Sequence, residues 1–141
     1  MSILRESDRK AVRERLEGME QPVTLVYFTQ EMECRTCRET HQLLEELSAL
    51  SGTLSLEVVD FVDGKETAAA YGIERIPATV VRGDKDYGIR YYGVPAGYEF
   101  ASLLEDVLSV SRRDSGLSPE SRERLKAVSS PLHIQVFVTP T

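Results

Sequence analysis

The sequence contains no tryptophan, and only two cysteines, two histidines and three methionines among 141 residues. Two cysteines are too few for the disulfide framework of a small secreted scaffold. Such a framework is also unnecessary, because a chain of this length buries roughly 68% of its unfolded surface. Positive charge is scarce: 17 Lys and Arg stand against 23 Asp and Glu, a net charge of -6. With no cationic surplus to neutralise phosphates, nucleic acid is a poor choice of partner. Long apolar runs are missing too. The longest are 23–28, interrupted by Thr24, and 58–62, interrupted by Asp60, whereas a membrane span needs about 20 apolar residues. The first ten residues, MSILRESDRK, become charged at the fifth position and hold no apolar signal core. Together these features predict a cytoplasmic protein without membrane attachment.

What remains is an ordinary globular balance, 41% hydrophobic and 28% charged, enough for one domain and part of another. Val12, Leu16 and Met19 recur at helical spacing, so 7–20 reads as a helix with Ser7 as cap. Val23 to Thr29 is continuous and β-branched, as in a strand buried on both faces. Thr36 to Leu50 carries Cys37, Thr40, Leu44 and Leu47 on one stripe, widened by Leu43 and Leu50, and Ser51-Gly52 stops it. A second strand covers Leu54 to Val62. Asp63 and Glu66 have capping-box spacing before a short helix, Glu66 to Tyr71, closed by Gly72. Thr79 to Arg82 and Ile89 to Tyr92 form a hairpin about the turn 83–86, with Gly88 at a bulge. Tyr98 to Val110 is the next helix, with Phe100, Leu103, Leu104 and Val107 facing inward. The order α-β-α-β-α-β-β-α predicts a mixed four-stranded sheet flanked by helices, its first two strands parallel and its last two antiparallel.

Both cysteines fall in one motif, Cys34-Arg35-Thr36-Cys37. Two cysteines three apart at a helix start can bond to each other, and the small loop so closed adds little stability. Their use is therefore chemical. A C-x-x-C at a strand-to-helix junction is the thioredoxin-like redox signature. A buried pair of small hydrophobes, and a metal site with His41 as third ligand, are the competing readings. A structural zinc needs four ligands, and the only other histidine is the distant His133, so no metal is expected.

The end of the chain echoes its beginning. RERLEGMEQPVTLVYF (13–28) and RERLKAVSSPLHIQVF (122–137) agree at six of 16 positions in constant register, where chance gives about one. The pattern indicates an internal duplication. Residues 1–117 then form one unit. Residues 118–141 form the opening helix and strand of a second, with Ser118 as cap, Pro119 in the first turn and a strand over Leu132 to Val138.

Several stretches carry a family resemblance: C-R-T-C after a strand, VVDF (58–61), YGIERIPAT (71–79), RYYGVPAGYEF (90–100) and VFVTPT (136–141). In these the chain resembles the thermophile-type protein disulfide oxidoreductases, or glutaredoxin-like domain proteins, which join two thioredoxin-fold units in tandem. The N-terminal domain of the alkyl hydroperoxide reductase flavoprotein is a more distant relative with the same doubled plan. The resemblance implies a thioredoxin-like α/β fold with an extra C-terminal helix and strand, and a second unit that stops before its own C-x-x-C. It also implies a cis bond before Pro77 and substrate-binding main chain at Ile76.

The expected activity is dithiol–disulfide exchange that reduces, forms or isomerises protein disulfides. Cys34, in the first turn of a helix, is the expected nucleophile, because unpaired N–H groups and the helix dipole favour its thiolate. Cys37, one turn later and more buried, is the expected resolving thiol. Arg35 and Arg38 add positive charge, which Glu31 and Glu33 oppose; Arg35 and Thr36 also tune the potential. Asp60 is a candidate for proton transfer to Cys37. Tyr91 and Tyr92 are assigned to packing. The redox-active Cys34–Cys37 pair needs no further cofactor. Partners are protein disulfides, a thioredoxin-reductase-like electron donor and a second copy of the chain, joined through 130–141. The alternative is a non-catalytic binding or scaffolding unit whose active partner unit lies elsewhere.

Overall fold

The structure is a computed structural model, and it describes residues 1–139. Its elements are α1 (Glu6–Leu16), β1 (Val23–Thr29), α2 (Cys37–Ser48), β2 (Leu54–Asp60), α3 (Lys65–Ala70), β3 (Ala78–Arg82), β4 (Asp86–Tyr92), α4 (Tyr98–Arg112) and α5 (Pro119–Leu125). The strands form one sheet in the order β2-β1-β3-β4. β1 runs parallel to β2 and antiparallel to β3, and β3 and β4 form the expected antiparallel hairpin. Among the described residues no helix is long and apolar enough to cross a membrane.

The continuous apolar run of β1 is explained by its place between β2 and β3. Successive side chains of a strand point to opposite faces. Val23, Leu25 and Tyr27 enter the larger core with Val12 and Leu16 of α1, Leu43, Leu44 and Leu47 of α2, and Leu103, Leu104 and Val107 of α4. Val26 and Phe28 enter a smaller core with Ala68, Ile73, Ala78 and Val80, next to α3. Fully buried leucines such as Leu25, Leu44 and Leu103 each contribute about 1.5–3 kcal/mol relative to exposure.

Several element ends differ from the sequence expectation. α1 begins one residue earlier and stops at Leu16, so Arg5 and not Ser7 stands at the N-cap. Asp63 forms no capping box; Gly64 is the cap residue of α3. A Cβ on Gly64 would come within 2.7 Å of the Asp60 carbonyl oxygen, so the close turn after β2 excludes a side chain. β2 itself ends at Asp60, not Val62, because the Asp60 carboxylate accepts the N–H groups of Val62 and Asp63 and turns the chain. β4 starts at Asp86, three residues before the expected Ile89. The register shifts between Val80 and Arg82 opposite it, and Gly88 sits there at φ 86°.

α5 forms as expected, with the Ser118 hydroxyl accepting the Ser121 N–H and Pro119 in the first turn. The strand over 132–138 does not form. Residues 126–139 belong to no helix or strand, and Leu132, Ile134, Val136, Phe137 and Val138 are 71–89% exposed. A strand needs a neighbour to satisfy its backbone, and within this chain the sheet edge does not provide one. Pro140 and Thr141, the end of the stretch expected to pair, lie outside the described residues.

Candidate functional site

Cys34 lies in the loop between β1 and α2, two residues before the N-cap Thr36 and so outside the first helical turn expected for it, and Cys37 is the first residue of α2. The two are joined as a disulfide, with Cα atoms 5.5 Å apart. Cys34 is half-buried and Cys37 is 3% exposed, so the outer sulfur is the accessible one. The residue before the motif, Glu33, lies in the left-handed region at φ 57°, a conformation that costs a non-glycine residue free energy. Thr36 occupies the N-cap position without capping through its side chain. Its carbonyl instead accepts both the N–H and the hydroxyl of Thr40, 3.0 and 2.8 Å away.

A cleft of about 540 Å³ holds the motif, lined by Thr29, Gln30 and Glu31 together with Cys34, Cys37, Arg38, His41, Val58 and Asp60. Asp60 lines the same cleft as the cysteines, and one of its oxygens accepts the N–H groups of Val62 and Asp63 in the turn after β2. Arg35 points elsewhere and lines a neighbouring hollow with Met1, Ser2, Ile3, Arg38 and Gln42. The Ile76–Pro77 bond is cis. Neither residue lines the cysteine cleft; Ile76 is half-buried against the smaller core and Pro77 is buried.

Beneath the motif lies a residue that the sequence reading overlooked. The Tyr27 ring is fully buried, and its hydroxyl donates to the Cys37 carbonyl across 2.6 Å. Burial holds the Tyr27 phenol above its ordinary pKa, against hydrogen bonds with Thr29 and Thr40. The same ring meets the His41 imidazole at 5.5 Å between centroids. Its place in the run 23–29 marked Tyr27 only as part of a strand buried on both faces. His41 was legible from its position four residues after Cys37, which sets the two on one helix face. Tyr91 packs as expected, and its hydroxyl donates to Asp106 at 2.5 Å. Tyr92 lies under the Arg75 guanidinium. Among the described residues no group of three His, Cys, Asp or Glu is arranged to hold a metal ion.

Comparison with known proteins adds to this geometry. A family model described as "Domain of unknown function (DUF7088)" matches residues 9–94, which include the whole sheet and the C-x-x-C motif. The chain belongs to that family. It is 27% identical over 122 residues to the alkyl hydroperoxide reductase component AhpF of Pseudomonas putida, covering 86% of this chain and 21% of that protein. The chain spans about a fifth of the length of the curated relatives it matches. A protein disulfide oxidoreductase from Aeropyrum pernix superposes with a TM-score of 0.78 at 28% identity, over 90% of this chain and 57% of that one. The NTD_N/C domain of alkylhydroperoxide reductase AhpF from Enterococcus faecalis superposes at 0.79 and 24% identity, over 89% and 61%. The fold is therefore thioredoxin-like, and the resemblance read from the motifs extends to the three-dimensional structure. A C-x-x-C pair at a strand-to-helix junction in this fold is an arrangement suited to dithiol–disulfide chemistry.

Proposed function

We propose that this chain is a dithiol–disulfide oxidoreductase acting on protein disulfides through Cys34 and Cys37. The observation that carries the reading is the pair itself: an accessible sulfur before the first turn of α2, bonded to a buried one at its start. In the reduced protein the Cys34 thiolate attacks a substrate disulfide. One substrate sulfur leaves as a thiolate and the other stays bonded to Cys34. Cys37 then loses its proton and attacks the Cys34 sulfur, releasing the second substrate thiolate. The protein dithiol is oxidised by two electrons, and the substrate disulfide is reduced by two. The orphan N–H groups of α2 favour the Cys34 thiolate, with Arg35 and Arg38 in support and Glu31 and Glu33 in opposition. Ile76, held before the cis Pro77, supplies main chain for an extended substrate, and Thr36 sets the turn between the sulfurs. The two thiols carry the whole of the electron transfer.

The similarity to AhpF and to a protein named NADH dehydrogenase from Bacillus subtilis supports a reductase-like unit as electron donor. A dithiol that works from its reduced form suits the cytoplasm. Residues 1–117 are the catalytic unit, and 118–141 repeat the opening of a second. In this reading, the repeated strand segment pairs with a second copy of the chain.

Insulin reduction with dithiothreitol tests the activity. Wild type is expected to accelerate precipitation of the insulin B chain, and Cys34→Ser to abolish that acceleration. Equal rates for the two proteins would refute the proposal.

A further inference from the structure

Resolution of the mixed disulfide requires Cys37 to give up a proton inside the cleft, and an acceptor must be found among the groups that face it. Arg38 is a guanidinium and accepts nothing. Tyr27 already donates its hydroxyl to the Cys37 carbonyl, and burial keeps that phenol protonated at neutral pH. Asp60 spends one oxygen on the N–H groups of Val62 and Asp63. Glu31 is exposed at the rim. The remaining member is His41, and imidazole is the side chain best matched to proton transfer near neutral pH.

We propose that His41 is the proton acceptor for Cys37 when the mixed disulfide is resolved, a role that rests on the dithiol–disulfide reading above. Three contacts place it. Cys37 and His41 are four residues apart on α2, and both line the cleft that also holds Cys34. Tyr27 binds both, its ring against the imidazole and its hydroxyl on the Cys37 carbonyl, so their mutual position is fixed from below. Glu45, one turn further along α2, stands 3.3 Å from His41 Nε2. A neutral imidazole that donates its Nε2–H in a hydrogen bond to the Glu45 carboxylate keeps Nδ1 as the proton acceptor. In this reading thiol, base and orienting carboxylate act in series. The charged and titratable groups around His41 are then Arg38, Glu45 and Cys37 on its own helix, Tyr27 on β1, Asp60 on β2, and Glu31 and Cys34 on the intervening loop.

The step balances. The Cys37 S–H bond breaks and the proton passes to imidazole. The Cys37 thiolate bonds to Cys34 sulfur, and the Cys34–substrate bond breaks. The leaving thiolate takes the electron pair and then the proton from imidazolium.

The aromatic disulfide 5,5'-dithiobis(2-nitrobenzoate), mixed with the reduced protein in stopped flow, separates the two half-reactions. Attack by Cys34 releases one thionitrobenzoate, and resolution by Cys37 releases the second. That leaving group needs no proton, so the second phase reports deprotonation of Cys37 alone. In His41→Ala the second phase is expected to slow by about tenfold or more near pH 7, to lose its neutral-range inflection, and to recover with added imidazole. The first phase is expected to be little changed. In Cys37→Ser the second phase is expected to disappear. A His41→Ala second phase with wild-type rate and pH profile overturns the role of His41 while leaving the dithiol reading standing. Slowing of both phases without imidazole rescue overturns it equally, since that is the mark of structural damage. Absence of the first release in wild type would instead strike the dithiol reading itself.

Discussion

Thr79 shows what a single buried atom is worth. It lies on β3 opposite Tyr27 and Tyr91, fully buried, and its hydroxyl oxygen finds no partner within the described protein. A hydroxyl without a partner costs free energy that a methyl group of the same shape does not. Thr79→Val is therefore expected to stabilise the protein by about 1 kcal/mol, measured as a higher urea midpoint at unchanged slope. A clear loss of stability would show that the hydroxyl is satisfied in solution. Tyr27 is the opposite case, since its buried hydroxyl is used. The sequence placed Tyr27 in a strand buried on both faces, but it could not disclose the hydrogen bond to Cys37, which depends on how α2 crosses the sheet. The cysteines were legible because their chemistry is local in sequence. His41 had two readings, ligand or surface residue, and only the cleft brings it to the sulfurs.

At the level of elements, the N-terminal arm is held to α2 by one carboxylate. Glu46 accepts the N–H groups of Ile3 and Leu4 at 2.8 and 2.9 Å and the Ser2 hydroxyl at 2.8 Å. Burial pushes its pKa up, but the donors of Leu4, Ile3, Ser2 and Gln42 outweigh this and bring it down to about 2. A depressed carboxylate pKa stabilises the folded state above the unfolded value, and this stability fades as pH falls toward the folded one. Wild type is thus expected to lose stability between about pH 4.5 and pH 2, and Glu46→Gln to be less stable at pH 7 with a flatter profile across that window. Urea unfolding at stepped pH checks this; parallel profiles for the two proteins would contradict it.

A second tie joins α4 to the turn before β1. The buried Ser111 hydroxyl accepts the N–H groups of Glu20 and Gln21 and donates to the Gln21 carbonyl. Ser111→Ala should cost roughly 1 kcal/mol and lower the melting temperature by a few degrees, because it removes the hydroxyl that pairs with the Glu20 N–H and the Gln21 carbonyl. A scanning calorimetry shift near zero would mean that water replaces the hydroxyl. Such ties are why element ends were less legible than element centres. The apolar run of β1 predicts its bounds correctly, 23–29, since burial on both faces leaves no choice. The ends of α1 and β2 depend on distant partners and local carboxylates that periodicity does not register.

Across the whole molecule, the sequence similarity between 13–28 and 122–137 has a structural parallel. α1 ends at Leu16 and α5 at Leu125, the paired leucines of the repeat, and each is followed by a turn. Beyond that point the two copies part. Val23, Leu25 and Phe28 are fully buried because β2 and β3 flank β1, whereas their counterparts Leu132, Ile134 and Phe137 are 71%, 81% and 89% exposed. The sequence carries strand propensity in both copies, but a strand exists only where neighbours complete its hydrogen bonds, so only the first was legible as structure. A bare apolar segment of this kind seeks a sheet edge, and a second copy presents the same edges, β2 and β4, in symmetric form. Among the described residues none beyond Ser111 is buried, so removing 117–141 leaves the core intact. Deletion of that segment is expected to shift the protein from dimer to monomer in sedimentation velocity, with insulin reduction through Cys34 and Cys37 retained. If the full chain sediments as a monomer at every concentration, exchange between copies is ruled out. If the shortened chain unfolds, the tail belongs to the core, contrary to its exposure.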